Sequence, residues 1–127
     1  MSAPRWVESV VSEFGHAAGL DRLALNERGA AVVAFENGSR LRLEYAFESL
    51  VVAITVPVRM DVSAARRILS YTHPSARHPF RLRSGWLKKS SAAVFAARLA
   101  DREVTLPSLN SVFAELWRIS HDFGGVA

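Results

Sequence analysis

Apolar residues recur at spacings of three and four near both ends of the chain, and at a spacing of two through part of its middle. Trp6, Val7, Val10, Val11, Phe14 and Ala18 form one stripe, which predicts an opening helix from Pro4 to Ala18. Pro4 suits a first helical position and Gly19 a stop. Ala30 to Glu36 is an apolar run that ends at Asn37-Gly38, a strong hairpin signal. From Ser39 to Phe47 the pattern alternates. Leu41, Leu43, Tyr45 and Phe47 share one face, with Arg40, Arg42, Glu44 and Glu48 on the other. Leu50 to Val56 predicts a third strand, with Val52, Ile54 and Val56 opposed to Val51, Ala53 and Thr55. Leu23 to Asn26 has room for a further short strand.

Beyond the meander, Asp61 is placed to cap a helix from Val62 to Thr72, with Ala65, Ile68, Leu69 and Thr72 on its apolar side. That helix stops before His73-Pro74, and His73 to Pro79 reads as an exposed polar loop. Phe80 to Leu87 and Ala92 to Leu99 predict a strand pair, joined through Lys88, Lys89 and two serines. A last helix opens at Pro107 and buries Leu109, Val112, Phe113, Leu116, Trp117 and Phe123 before Gly124-Gly125. The fold class is therefore α+β, one domain spanning residues 1–127, in the order α-β-β-β-α-β-β-α around a mainly antiparallel, twisted sheet.

A chain of 127 residues, half of them hydrophobic, has ordinary globular composition. It has no cysteine, which excludes disulfides and thiol chemistry. No signal peptide or membrane-spanning run is evident, so a soluble, cytoplasmic protein is expected. Charge adds a pattern that hydropathy does not. Residues 1–61 carry six Arg against eight acids, and residues 101–127 two Arg against four acids. Residues 62–100 carry eight Lys or Arg and no acid, so this stretch supplies all of the positive excess. Such a stretch suits an acidic protein, a nucleic acid, an anionic lipid or simply water.

Candidate chemistry is sparse. His73 and His78 are the only close histidines, and their spacing in a proline-bracketed loop is not that of a zinc pair. No phosphate-binding glycine loop, nucleophile elbow or metalloprotease motif occurs. No cofactor or metal is expected and the domain reads as non-enzymatic, although a triad assembled from distant positions escapes a test of local spacing. Phe80-Arg81-Leu82-Arg83 and Trp86-Leu87-Lys88-Lys89 interleave aromatics with cations, as a nucleic-acid platform does. By strand parity, however, Phe80, Leu82 and Trp86 fall on one face and Arg81 and Arg83 on the other. With Leu41, Leu43, Ile54, Phe95 and Leu99 turned toward the helices, the opposite sheet face still carries Val51, Ala53, Ala92, Val94 and Ala96. Surplus apolar surface of that kind marks a protein interface, unless the domain buries both faces of its sheet.

Several stretches resemble the class I type III secretion chaperones, the Tir-chaperone or CesT-like family. They are the opening helix with Phe14-Gly15 and Gly19-Leu20, the meander with Glu36-Asn37-Gly38, the helix carrying Ile68-Leu69, the strand pair from Phe80 to Leu99, and Leu106-Pro107-Ser108-Leu109 ahead of Trp117. The resemblance covers Trp6 to Phe123. It implies a homodimer that holds the N-terminal chaperone-binding region of a secreted effector in extended form. It further implies dimer contacts at Ile68, Leu69 and Trp86, and partner contacts at Val51, Ala53, Val94 and their neighbours on the first helix; Arg81 and Arg83 join these if the partner is acidic. Family members are typically acidic, whereas this chain has a pI near 10.3, which leaves a small nucleic-acid-binding or regulatory domain as the alternative.

Overall fold

The computed structural model describes residues 2–59, 61–73, 78 and 80–124. The elements, in chain order, are α1 (Arg5–Ala17), β1 (Ala30–Ala34), β2 (Arg40–Ala46), β3 (Ser49–Pro57), α2 (Val62–Thr72), β4 (Leu82–Leu87), β5 (Ala92–Ala100) and α3 (Leu106–Gly124). The order is the expected α+β one. All strand pairs are antiparallel, in one sheet of order β1-β2-β3-β5-β4.

α1 begins one residue later than expected, with Pro4 as the capping residue. It ends in a Schellman turn, in which Gly19 N–H donates to His16 O and Leu20 N–H to Gly15 O. Gly19 has φ +76°, which explains the glycine at that position. Val7, Val11 and Phe14 are buried, but Trp6 at the edge of the stripe is 44% exposed. Leu23 to Asn26 forms no strand. Leu23 and Leu25 are buried, and the Asn26 side chain accepts from Arg28 N and Ala30 N, which turns the chain instead.

The Asn37-Gly38 turn forms, with Phe35 N–H donating to Ser39 O at 2.9 Å and the Asn37 side chain accepting from Ser39 N. The next turn differs from expectation. β2 stops at Ala46, and Phe47 and Glu48 make a two-residue link to β3 with φ of +52° and +58°. This is the left-handed pair of a type I′ hairpin, in which Asn and Gly are usual. Phe47 therefore leaves the buried face assigned to it and stands 88% exposed.

On one side of the sheet, Leu41, Leu43, Leu50, Val52, Ile54, Val56, Ala93, Phe95 and Leu99 pack beneath the helices. α3 lies across β3, α1 against α3 and α2 against β4. α3 contributes Leu109, Val112 and Leu116 as expected, together with Ile119, which the pattern missed although it lies one turn beyond Leu116. Phe113 and Trp117 are partly buried, with Trp117 edge-on to Phe35 at 4.7 Å. The side chain of Phe123 lies outside the described residues. Each Leu, Ile or Phe fully buried here contributes about 1.5–3 kcal/mol relative to exposure, so this helix-covered layer holds the fold.

Asp61 caps α2, its carboxylate accepting from Ala64 N at 2.7 Å. The buried side of α2 is Ala64 and Ile68. Ala65 and Thr72 are half-buried and Leu69 is exposed, so the apolar side predicted for this helix is rotated toward solvent. Tyr71 packs edge-on against Phe95 at 5.5 Å, and its hydroxyl donates to Asp122 at 2.9 Å.

Candidate interaction surfaces

Among the described residues, two surfaces carry the positions singled out in the sequence. The first is the cleft between α2 and the edge strand β4, about 340 Å3 in volume and lined by Ala65, Ile68, Leu69, Ser84, Gly85 and Trp86. Leu69 (67%) and Val62 (69%) are exposed beside it, and Leu87 is exposed on β4. Thr72 and Ser84 lie within hydrogen-bond distance through their hydroxyls, 3.1 Å apart, and so fasten the end of α2 to β4. Among the described residues β4 has a neighbouring strand on one side only, which leaves its other edge open to backbone pairing.

The second is the face of the sheet away from the helices. Register places Val51 beside Arg98, Ala53 beside Ala96, Arg83 beside Ala96, and Val94 between Thr55 and Gly85. Val51, Ala53, Val94 and Ala96 are half-buried and Arg81 and Arg83 exposed. Ala92, expected on this face, is buried at 3%, on the rung between Pro57 and Leu87. A groove of about 640 Å3 runs along the Phe47 end of this face, over Val51 and Ala96 and beside Arg81, Arg83 and Arg98.

Local hydrogen bonds make that end of the face rigid. Asp101 N–H donates to Glu48 O at 3.1 Å, and the Tyr45 hydroxyl donates to the Asp101 carboxylate at 2.7 Å. That hydrogen bond, followed by burial and the nearby negative charges, pushes the Tyr45 phenol up to about 12. Ala100 N–H donates to Glu103 Oε1 at 3.0 Å. The Nε–H of Arg98 donates to Ser49 Oγ at 2.8 Å, and Ser49 in turn donates to Ala46 O.

A family model for the type III secretory system chaperone SycN matches residues 6–123. The chain belongs to that family. It is a family of chaperones, not of enzymes. No curated protein sequence matches at a significant level. Solved structures of similar fold include one chain of the ExsC–ExsE complex, at 21% identity and TM-score 0.78, covering 98% of this chain and 95% of that one. Another is a chain of the Yersinia pestis type III secretion chaperone SycH in complex with a fragment of YscM2, at 19% identity and TM-score 0.70, covering 92% and 98%. A third is a chain of the ExoU–SpcU complex of Pseudomonas aeruginosa, at 13% identity and TM-score 0.66, covering 93% and 94%.

In this chaperone the residues singled out in the sequence fall on the two surfaces in separate groups. Leu69 and Trp86 line the α2/β4 cleft, while Ile68 is 6% exposed and shows only an edge to it. Val51, Ala53, Val94, Arg81 and Arg83 lie together on the outer face and its groove. Phe80 and Trp86 are half-buried and Leu82 buried, so the interleaved aromatics and cations of this stretch do not share one open surface. His78 departs from the exposed loop expected of it. Its side chain is nearly buried, with Nε2 2.6 Å from Tyr71 O and Nδ1 3.4 Å from Glu115. Residues 74–77 and 79 of that loop lie outside the described residues. Among the described residues no cluster of metal ligands occurs, and no helix is long and apolar enough to cross a membrane. Sequence reasoning missed Phe47, Arg98 and Ser49 as site residues. Ser49 and Arg98 meet only through the long-range pairing of β3 with β5.

Proposed function

We propose that this chaperone works as a homodimer in the bacterial cytoplasm and holds the N-terminal region of a secreted effector or apparatus protein in extended form. Family membership carries the reading. It is supported by an apolar cleft and an apolar-floored basic face placed apart, so that one chain has a surface for its twin and another for its client. Dimer contact falls to Leu69, Trp86 and the exposed edge of Ile68. Client contact falls to Val51, Ala53 and Val94, with Arg81 and Arg83 at the margin. An extended client lays alternate side chains into such a face and pairs its backbone at a sheet edge.

The deciding experiment is a nuclease-treated pull-down of the tagged full chain from its native cells. One dominant secreted protein, retained through its N-terminal region with the bait dimeric, is the expected result. Recovery of nucleic acid without nuclease, and of no protein partner with it, would overturn the reading in favour of a nucleic-acid-binding domain.

A further inference from the structure

The groove at the Phe47 end of the outer face has three features that the fold does not need. Phe47 and Glu48 both take left-handed backbone angles without being glycine or asparagine, and Phe47 gains no burial in return. Arg98 is fastened by Nε–H to Ser49, while its terminal nitrogens have no protein partner among the described residues. Arg81 and Arg83 have neither a carboxylate nor a hydrogen-bond partner among the described residues, yet line the same groove. A strained exposed aromatic beside a pre-oriented guanidinium is the arrangement of a binding site, where strain is retained because something else is gained.

We propose that this groove takes an acidic, extended polypeptide segment of the client, with carboxylates on alternate residues and apolar side chains between them. The proposal deepens the client-binding reading and rests on it. Arg81 and Arg83 stand two residues apart, about 7 Å along an extended chain, which is the repeat of alternate side chains in an extended peptide. The terminal N–H groups of Arg98 donate to a carboxylate in a two-pronged contact. Phe47, Val51 and Ala96 supply the apolar surface against which the intervening side chains lie. Glu48 and Glu103 also line the groove, and Glu103 is engaged by Ala100 N–H. The rim carboxylates repel both anions alike, but the floor of Val51 and Ala96 gives aliphatic side chains a contact that a sugar-phosphate backbone does not use, which favours protein over nucleic acid.

The test uses fluorescein-labelled peptides alternating Asp with Leu, the same peptides with Asn in place of Asp, and a labelled oligothymidylate. Each is titrated with the full chain while anisotropy is read. The Asp peptide is expected to bind, more weakly as salt rises, and at least about tenfold more tightly than the Asn peptide. Arg98→Gln is expected to weaken it by roughly tenfold. Phe47→Gly is expected to weaken binding and to raise the melting temperature, because glycine relieves the turn. No binding of the Asp peptide, equal binding of the Asn peptide, tighter binding of the oligonucleotide, or wild-type affinity in both variants each overturns the proposal. The broader reading is tested separately by client capture. Capture unchanged in Arg98→Gln and Phe47→Gly removes the groove and leaves the chaperone reading standing. Peptide binding with no client captured overturns the client reading and this proposal with it, leaving only a groove that takes acidic peptides.

Discussion

The two faces of the one sheet are built from neighbouring residues to opposite ends. On β5, Phe95 is fully buried beneath the helices, and Ala96, the next residue, lies half-buried on the outer face among arginines. On β3, Leu50, Val52 and Ile54 fill the core while Val51 and Ala53 floor the open side. The inner face uses large side chains because a layer of helices must be held. The outer face uses alanine and valine, which leave it shallow and half-open between the arginines. The difference teaches that, at the level of single strand positions, the residues that hold the fold are separate from those on which the proposed client contact rests.

Substitution at Phe95 tests that separation most severely. Phe95→Ala is expected to cost about 3–5 kcal/mol, a large part of the stability of any small domain. Ala96→Ser, one residue away, is expected to stay within about 0.5 kcal/mol. Urea denaturation followed by circular dichroism compares the two; a similar loss in both would abolish the contrast between the faces.

Leu69→Asp comes next. Leu69 is 67% exposed in the single chain, so the charge is solvated there and the fold should survive. In the proposed dimer the same charge is buried without a partner, which costs several kcal/mol. Light scattering is expected to find a folded monomer. A fully dimeric variant would remove α2 from the interface.

Reversing both Arg81 and Arg83 to Glu is expected to leave the melting curve close to wild type and to weaken client binding by about tenfold, mainly through slower association. Client affinity equal to wild type would show that the basic charge is only a solvated surface.

The contrast between faces also explains what was legible. One buried face fixes strand parity, so Leu41, Leu43, Val52 and Ile54 announced themselves by alternation, and Asn37-Gly38 announced its turn. Alternation does not say where a strand stops. Phe47 continues the apolar rhythm of Leu41, Leu43 and Tyr45, yet belongs to a turn lacking the usual Asn and Gly. Spacing also does not separate a side chain buried in its own domain from one left for another chain: Ile68 and Leu69 share the apolar side of α2, yet Ile68 is buried and Leu69 exposed. The Arg98–Ser49 contact joins residues far apart in sequence and depends on β5 returning beside β3 across α2, which no local pattern encodes.

The smallest expected effect lies at the seam between the faces. Tyr45 is buried on the helix side, and its hydroxyl reaches Asp101, whose backbone holds the Phe47-Glu48 turn on the other. Hydrogen bonding to the carboxylate raises the phenol from 10.0 to about 12, so the folded state holds this proton more tightly than the unfolded chain. Below pH 10 both states are protonated and the contribution is complete. As pH rises from 10 toward 12 the unfolded chain releases its proton first, stability falls, and the contribution is gone above the folded value. Tyr71, raised by burial and then by its bond to Asp122, acts in the same direction. Tyr45→Phe should therefore lose less melting temperature than wild type over that interval, with the Tyr71 part of the slope remaining. An identical alkaline slope in the two proteins would mean that the Tyr45–Asp101 bond does not persist in solution. Because the Asp101 N–H to Glu48 O bond is left intact, the variant should also keep its affinity at neutral pH for the acidic peptide. A loss there would show that the rim of the recognition face is set by the inner face after all.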